Sequence, residues 1–292
     1  MNVREAVKWL SAELEHLYDA QTSSAIALWI LEWITKKDTT SLLVKAHEHL
    51  TKEEENALSA LLKEHLQDHK PLAYIFGSVP FLSLDLTIRP PLLIPRSETE
   101  YWCGWLIKTV APHKPNSILD LCCGSGCIGL SLAQAFPYAR VVLGDISPEA
   151  CSLTEENAVK NSLTSVRCIL SDLYKELPLE MKFDLIVSNP PYISLKEWST
   201  LDRSVKEWED PRALRADDEG LALLKKIITE APRWLSPAPA CSTVPQLVIE
   251  IGHQQGAAVE DLFKLAGFSD VIVHKDPAGN DRFVTGRLVG VS

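Results

Sequence analysis

The stretch Asp120-Leu-Cys-Cys-Gly-Ser-Gly-Cys-Ile-Gly129 decides the fold class. It continues the apolar run Ser117–Leu121 and leads into a segment with helical spacing, so it joins a buried strand to a helix. Glycine lets a backbone approach a ligand closely, and the first N–H groups of the helix point at that ligand. The stretch therefore predicts a nucleotide-binding loop in an α/β sheet.

Around this loop the sequence alternates strands with helices. We expect a helix after each of the first five strands, which makes those strands parallel. The last two are joined by the turn-rich Asp276–Gly279 and should be antiparallel. The pattern predicts a seven-stranded, mostly parallel, doubly wound sheet. The strand candidates are Ser117–Leu121, Arg140–Gly144, Ser165–Leu170, Phe183–Val187, Gln246–Ile251, Val271–His274 and Arg282–Arg287.

The amino-terminal part of the chain has helical periodicity. Apolar residues recur at helical spacing from Val3 to Leu17 and, after the cap-like Thr51, from Ala57 to Leu66. Between them, Ser24–Ile34 is apolar on nearly all sides and should be the central helix of a bundle. We predict a helical domain over residues 1–72.

The spacing of apolar residues changes from helical to alternating between the helical domain and the predicted sheet. Phe81–Ile88 alternates like a strand, and we expect it to pair with Tyr74–Phe76 across Gly77. This predicts a β-hairpin linker over 73–92 and an α/β domain over 93–292. Ser97 should cap the first helix of that domain, and Ser194–Asp218 is the one segment expected to be loose, free to fold over a site.

Composition excludes several classes of function. The chain has 29 basic and 39 acidic residues and a net charge of −10, which argues against stable nucleic-acid binding. It has neither a membrane-length apolar run nor a signal-peptide pattern, and its seven cysteines lack disulfide spacing, so we expect a cytosolic protein. We also expect it to be a monomer. Cys122, Cys123 and Cys127 lack zinc-knuckle spacing, so we expect no metal.

The ends of three strands predict how a nucleotide is held. Asp145, after the second strand, is placed to accept hydrogen bonds from the two hydroxyls of a ribose, and Ser171–Leu173, including Asp172, lies where an adenine would lie. Gly124, Gly126 and Gly129 match a dinucleotide fingerprint, which leaves NAD open. Asp120 would repel a pyrophosphate but could hold an ammonium group, which favours S-adenosyl-L-methionine.

Asn189-Pro-Pro-Tyr192 follows the fourth strand and carries the predicted chemistry. A planar amide or aryl amine attacks a sulfonium methyl group only if its lone pair is localised on nitrogen. The side-chain oxygen of Asn189 and the carbonyl of Pro190 could each accept one N–H, because the fixed φ of Pro190 and Pro191 holds that carbonyl rigidly. The ring of Tyr192 offers a flat face on which the planar acceptor group can pack. A plain turn is the alternative interpretation.

Two functions outside methyl transfer stay open on the residues alone. One is a nicotinamide-dependent oxidoreductase built on the glycine fingerprint, and the other is a scaffold that binds cofactor without turnover. Within methyl transfer, the acceptor could be an amide, such as a glutamine of a large-subunit ribosomal protein or of another protein, or an adenine or guanine amine of a nucleic acid.

Several motifs together resemble the HemK/PrmC family, the peptide-chain release factor N5-glutamine methyltransferases. The resemblance covers nearly the whole chain, and the Ile-Pro-Arg segment with the helical amino-terminal domain distinguishes it from nucleic-acid amino-methyltransferases. The motifs are Tyr74–Gly77, Ile94–Glu100, the glycine loop, Asp145–Pro148, Asn189–Tyr192, Pro211–Leu214, Glu219–Leu221, Glu250–Gly252 and Asp281–Phe283.

The resemblance implies a class I S-adenosylmethionine-dependent methyltransferase fold with a small helical domain that recognises the protein substrate. It implies that Asn189, Pro190, Pro191 and Tyr192 bind the glutamine of a Gly-Gly-Gln loop in class I release factors, with Asn189 also contacting the cofactor. Leu173 should pack on adenine. The other implied cofactor contacts are Cys122, Cys123, Gly124, Ser125, Gly126 and Asp145.

Three positions depart from the family pattern. Cys122 replaces the first glycine of the loop, so we expect a negative φ there. Ser97 replaces a proline, and Asp210 stands where the family has Glu before Pro211.

Overall fold

The structure is a computed structural model that describes residues 1–237 and 244–288. The chain divides into two compact units, Met1–Phe76 and Gly77–Ser292. Among the described residues, none of the helices is both long and apolar enough to cross a membrane.

The first unit is helical, as predicted. Side chains before the first four helices accept backbone N–H groups of the first turn, with reciprocal capping boxes at Asn2 and Thr51. Leu10, Leu31 and Leu58 are fully buried in its core. The helices are α1 (Val3–Leu14), α2 (Ala20–Thr35), α3 (Thr39–Val44), α4 (Lys52–Leu66) and α5 (Leu72–Phe76).

The predicted pairing of Tyr74–Phe76 with Phe81–Ile88 is wrong. Tyr74–Phe76 lies in α5, where the Tyr74 and Ile75 amides donate to the Pro71 carbonyl. The hairpin instead pairs β1 (Ser78–Phe81) with β2 (Leu84–Thr87), because Leu82 has a φ of +51° and turns the chain. The apolar alternation continues across this turn, which is why it resembled one strand. The hairpin belongs to the second unit.

The second unit contains the predicted seven-stranded sheet, in the order β5-β4-β3-β6-β7-β9-β8. Strands β3 to β7 are parallel, and β9 is antiparallel to both β7 and β8. Short apolar runs such as residues 185–187 are buried on both faces, as parallel strands require. The strands are β3 (Ser117–Leu121), β4 (Arg140–Asp145), β5 (Val166–Leu170), β6 (Leu185–Ser188), β7 (Leu247–Glu250), β8 (Phe268–Lys275) and β9 (Asp281–Leu288).

Helices connect most of these strands. A 3-10 turn over Ala111–His113 follows the first helix of this unit. The helices are α6 (Ser97–Val110), α7 (Cys127–Ala135), α8 (Pro148–Lys160), α9 (Leu195–Thr200), α10 (Arg203–Trp208), α11 (Pro211–Leu214), α12 (Ala222–Trp234) and α13 (Gly256–Leu265).

Three local expectations are wrong. No helix joins β5 to β6; residues 171–184 form turns, and Pro178 interrupts any helix in that segment. Ser97 does not cap α6, because Arg96 occupies the cap position and the Ser97 hydroxyl donates to Glu98. Ser194–Asp218 is not irregular throughout, since it contains α9, α10 and α11.

The strand order places a topological switch between β3 and β6. From β3 the chain proceeds through β4 to β5 on one side, whereas β6 and β7 lie on the other. Leu121 is in register with Ser188, whose hydroxyl donates to the Leu121 carbonyl over 2.8 Å. The glycine loop and Asn189 therefore start side by side at the carboxyl edge of the sheet, where open α/β sheets bind ligands.

Candidate active site

A cavity of about 350 Å³ opens at this carboxyl edge. Its volume lies in the range of small-molecule sites. It brings together residues from the ends of β3, β4, β5 and β6. The predicted site residues that line it are Cys122, Gly124, Asp145, Asp172, Leu173, Asn189 and Pro191; Asp120, Cys123, Ser125, Gly126, Pro190 and Tyr192 are not among its lining residues.

The glycine loop turns sharply out of β3. Cys122 has a φ of +58°, so the expected negative φ is wrong: the residue keeps the left-handed conformation that a glycine would adopt. Gly126, at the start of α7, has a φ of +82°. Helix α8 fixes the loop through two side chains: Thr154 donates to the Gly124 carbonyl over 3.1 Å, and Asn157 donates to the Ser125 carbonyl over 2.9 Å.

Asp145 at the end of β4 is held by the backbone. Its Oδ2 accepts the Gly124 N–H and its Oδ1 accepts the Ser147 N–H, both over 2.9 Å. Burial raises the pKa of this carboxyl, and the two backbone hydrogen bonds oppose the shift. A carboxylate oxygen has a second lone pair, so both oxygens can still accept a ligand hydroxyl. Asp145 lines the cavity, in the position predicted for a ribose partner.

The turn after β5 adds an apolar wall. The Ser171 hydroxyl donates to the Leu173 carbonyl over 2.6 Å and so holds Leu173 at a φ of +55°. Asp172 forms an ion pair with Lys175. Leu173 and Ile146, which is 66% exposed, both line the cavity. Two aliphatic side chains in one cavity with Asp145 are suited to the faces of a planar base.

The Asp120 side chain is not among the cavity-lining residues. The residue is fully buried, and its Oδ2 accepts the Gly129 N–H in α7 over 2.8 Å. Its Oδ1 has no hydrogen-bond partner among the described residues, and burial raises the pKa of the carboxyl well above its usual range. The carboxyl contacts the helix and not the cavity, so the expectation that Asp120 holds an ammonium group of the cofactor receives no support.

Asn189–Tyr192 directly follows β6, and both prolines are buried. The Asn189 side-chain nitrogen donates to the Thr99 hydroxyl oxygen over 3.2 Å. The Tyr192 hydroxyl donates to Oε1 of Glu250 over 3.0 Å, and the Tyr192 carbonyl accepts from Gln255 over 3.0 Å. The first and last residues of the tetrapeptide are therefore fixed by residues on α6, β7 and the turn before α13.

Glu250 is a buried carboxylate at the end of β7. Burial raises its pKa, while hydrogen bonds from Thr99, Trp102 and Tyr192 lower it. Burial also raises the pKa of the Tyr192 phenol, and the neighbouring Glu250 adds to that shift. Tyr192 is therefore a neutral donor at physiological pH.

The segment after the tetrapeptide is tied to α6 by an ion pair. One Arg96 nitrogen donates to both oxygens of Glu209, over 2.7 and 2.6 Å, and the Glu209 side chain is 1% exposed. Asp210, the departure from the family's Glu, donates its N–H to the Pro91 carbonyl and caps α11. Asp210 and Arg212 then complete the cavity wall.

These residues fit an adenosyl group. Asp145 supplies two acceptors for adjacent hydroxyls, Ile146 and Leu173 supply apolar surface for a base, and the amino-terminal end of α7 suits a carboxylate. Asn189 lines the same cavity, so a group held at Asp145 and a second reactant at Asn189 share one space.

Comparison with known proteins assigns the family. A model described as the methyltransferase small domain matches residues 103–206, and one described as the PrmC N-terminal domain matches residues 5–77. Two release factor glutamine methyltransferases are each 35% identical. The one from Geobacter sulfurreducens aligns over 89% of this chain and 88% of its own length, and the one from Salmonella typhimurium over 96% and 98%.

The chain belongs to the release factor glutamine methyltransferase family. The methyltransferase uses S-adenosyl-L-methionine. Among solved structures, the hMettl16 catalytic domain in complex with MAT2A 3′UTR hairpin 6 is 14% identical and matches with a TM-score of 0.55, covering 80% of this chain and 81% of that one. This second likeness shows the class I methyltransferase fold alone. Membership of the glutamine methyltransferase family excludes the NAD interpretation of the glycine loop.

Some residues around the site were not predicted from the sequence. The pairing of Arg96 with Glu209 and the contacts of Thr99 and Glu250 join positions far apart in the chain. The sequence did contain a signal for Glu250, because a carboxylate in the apolar run Gln246–Ile251 must be buried with partners. Ile146 could have been found as an apolar residue directly after Asp145.

Proposed function

We propose that this methyltransferase methylates the side-chain amide nitrogen (N5) of the glutamine in the Gly-Gly-Gln motif of class I peptide chain release factors. The observation that carries the proposal is the presence of Asn189 and Asp145 in one cavity. It is supported by relatives named release factor glutamine methyltransferase that align along nearly their whole length.

In this proposal the cofactor is held by residues 122–126, Asp145, Asp172 and Leu173. Asp120 is left out, because its carboxylate bonds to α7. The cofactor supplies an electrophilic methyl group on a sulfonium sulfur. Cys122 and Gly124 bring backbone close to it, Asp145 accepts from its ribose, and Leu173 packs on its base.

The tetrapeptide orients the acceptor amide. Asn189 Oδ1 and the Pro190 carbonyl each accept one N–H, and the ring of Tyr192 packs on the planar group. Two accepted hydrogen bonds localise the nitrogen lone pair and stabilise the positive charge that develops on nitrogen. The bound cofactor would supply its methyl group to this nitrogen and keep the electron pair of the broken carbon–sulfur bond, and one amide proton would leave to water.

The helical unit is proposed to bind the release factor away from the reactive glutamine. Supporting this are its match to the PrmC N-terminal domain model and the exposure of two adjacent apolar residues on α3, Leu43 at 61% and Val44 at 81%. A L43D/V44D variant should raise the KM for release factor and leave kcat unchanged. An unchanged KM would remove this patch from the proposal.

We further propose that the protein is a cytosolic monomer and that it forms no stable complex with nucleic acid. The net charge of −10 supports the last point, because it disfavours phosphate binding. The six described cysteines, all free, suit a reducing compartment.

Incubation with methyl-labelled cofactor tests the acceptor. Purified release factor, ribosomes and DNA would be offered separately, with a release factor carrying alanine for the Gly-Gly-Gln glutamine as the matched control. We expect label on the unmodified release factor alone. Label on a ribosomal protein or on DNA, with none on release factor, would replace the proposed acceptor.

A further inference from the structure

Glu250 collects three hydrogen-bond donors around one buried carboxylate. Its Oε2 accepts from the Thr99 hydroxyl over 2.6 Å and from the Trp102 indole over 2.7 Å, and its Oε1 accepts from the Tyr192 hydroxyl over 3.0 Å. Glu250 and Thr99 are each 1% exposed, so water does not compete for these contacts. Two of the donors lie in, or directly contact, the Asn189–Tyr192 tetrapeptide.

The chemistry of these groups fixes the direction of every hydrogen bond. An ionised carboxylate only accepts, and an indole N–H only donates. Thr99 has a single hydroxyl proton, which goes to Glu250, so its oxygen can only accept from Asn189. The 3.2 Å contact between Asn189 and Thr99 therefore requires the NH₂ end of the amide to face Thr99. The oxygen is then the end of the Asn189 amide left for a ligand in the cavity.

We propose that Thr99 and Glu250 are positioning residues that set the polarity of the Asn189 side-chain amide, so that its oxygen meets the N–H of the acceptor. This inference rests on the proposed function, because it assigns the acceptor an N–H group. A reversed Asn189 amide would place a donor against that N–H and could not localise the nitrogen lone pair. The same carboxylate holds the Tyr192 hydroxyl, so one buried charge orients both ends of the tetrapeptide.

Substitutions at Thr99 separate polarity from packing. Thr99→Val keeps the shape but removes the hydroxyl, whereas Thr99→Ser keeps the hydroxyl and loses a methyl group. We expect kcat to fall about 10-fold or more in T99V, the order expected for one lost hydrogen bond to a buried group. Cofactor Kd should change by less than about 3-fold, and T99S should restore most of the turnover.

Thr285→Val is the matched control. Thr285 is also buried, 3% exposed, and its hydroxyl hydrogen-bonds to the His274 ring over 2.9 Å, in β9. T285V therefore removes a buried hydroxyl of the same kind outside the Glu250 network, and its kcat should match that of the wild type.

Glu250→Gln tests the carboxylate itself. A glutamine can present its NH₂ group to Thr99, which lets the Thr99 hydroxyl turn and donate to Asn189. The expected loss of kcat is at least that of T99V. Because the two residues act on one amide, the T99V/E250Q double variant should lose far less than the product of the two single effects.

A spectroscopic readout makes the inference independent of the acceptor. The side-chain ¹⁵N–¹H₂ resonances of Asn189 can be identified by their disappearance in N189A. We expect them to move in T99V and E250Q and to stay in place in T99S and T285V. Unmoved resonances in T99V overturn the proposal, as does T99V turnover equal to that of the wild type. If the wild type leaves release factor unlabelled, the proposed function fails, and the Asn189 resonances alone then decide the inference.

Discussion

Arg96 binds both carboxylate oxygens of Glu209, 113 residues further along the chain. The pair joins the start of α6 to the segment that follows the reactive tetrapeptide. Burial raises the pKa of Glu209, and the Arg96 charge opposes that shift. Arg96 supplies the opposite charge for this carboxylate, whose side chain is 1% exposed and which also accepts a backbone hydrogen bond from Ile94.

Arg96→Ala should destabilise the fold because it leaves Glu209 as a buried, unpaired charge. We expect a loss of about 2–3 kcal/mol in urea unfolding, less than for a fully enclosed pair, since 34% of the Arg96 side chain is exposed. Arg203→Ala is the control: Arg203 pairs with Glu207 at the surface, and its removal should cost less than about 0.5 kcal/mol. Equal losses in the two variants would contradict this view.

Asn189→Ala should lower methyl transfer roughly 10²-fold or more, because it removes an acceptor that acts on the developing charge. Cofactor affinity should stay near that of the wild type, since Asp145 and the glycine loop are untouched. Single-turnover transfer to release factor and calorimetric titration with cofactor measure the two effects. Unchanged turnover would remove Asn189 from the chemistry.

Asp145→Asn should weaken cofactor binding about 10-fold or more, because hydrogen bonds from ribose hydroxyls to a charged acceptor become neutral ones. The pKa of Asp145 is raised by burial, so in the wild type cofactor affinity should fall as the pH is lowered through that raised pKa. The stability of the cofactor-free fold depends on pH in the opposite direction. Because the raised pKa means that the ionised carboxylate is less favourable in the folded than in the unfolded chain, Asp145 lowers the free energy of unfolding as the pH rises. A pH dependence of Kd that persists in D145N would assign it to another group.

Gly220→Ala should displace the tetrapeptide. Gly220 has a φ of +87°, and an added Cβ would lie 2.8 Å from the Tyr192 carbonyl carbon and 2.6 Å from the Gln255 side chain. Gly267→Ala is the matched control, because Gly267 has the same φ and nothing within 4 Å of the added carbon. G267A should show only the backbone strain, about 1 kcal/mol, with turnover intact. G220A should lose more stability than G267A and should also lose turnover. Equal stability and turnover in the two variants would show that Tyr192 can move away from the added carbon without cost.

Cys122→Gly and Cys122→Ala should differ in stability. Both remove the thiol, but only glycine adopts the φ of +58° without strain. We expect C122G to be more stable than C122A by about 1 kcal/mol in denaturant unfolding. If C122A is the more stable of the two, the loop does not hold residue 122 in the left-handed region.

The sequence predicted the sheet well because each central strand is a short apolar run buried on both faces. It predicted the wrong connection after β5, since Pro178 prevents the helix that usually follows a parallel strand. The predicted sign of the Cys122 φ was also wrong. A residue other than glycine favours a negative φ, but the turn between β3 and α7 requires a positive one. Tertiary geometry outweighed local preference at Cys122, whereas the error after β5 came from overlooking the local effect of Pro178.

The site was predictable only where its residues follow strand ends. Asp145, Leu173 and Asn189 all do, and all three line the cavity. Their supports could not be predicted, because Thr99 is 90 residues from Asn189 and 151 residues from Glu250. Asp120 lies inside β3, one residue before its end, and its side chain turns toward α7, a choice that depends on packing.

The single proton of the Thr99 hydroxyl also limits how this enzyme could be redesigned. A carboxylate in place of the Asn189 amide would face the same hydroxyl as Glu250, and one proton cannot serve two anions. Asn189→Asp would therefore be electrostatically frustrated even though its shape is nearly unchanged. A change of acceptor preference at position 189 requires compensating changes at positions 99 and 250, so the three positions must be varied together.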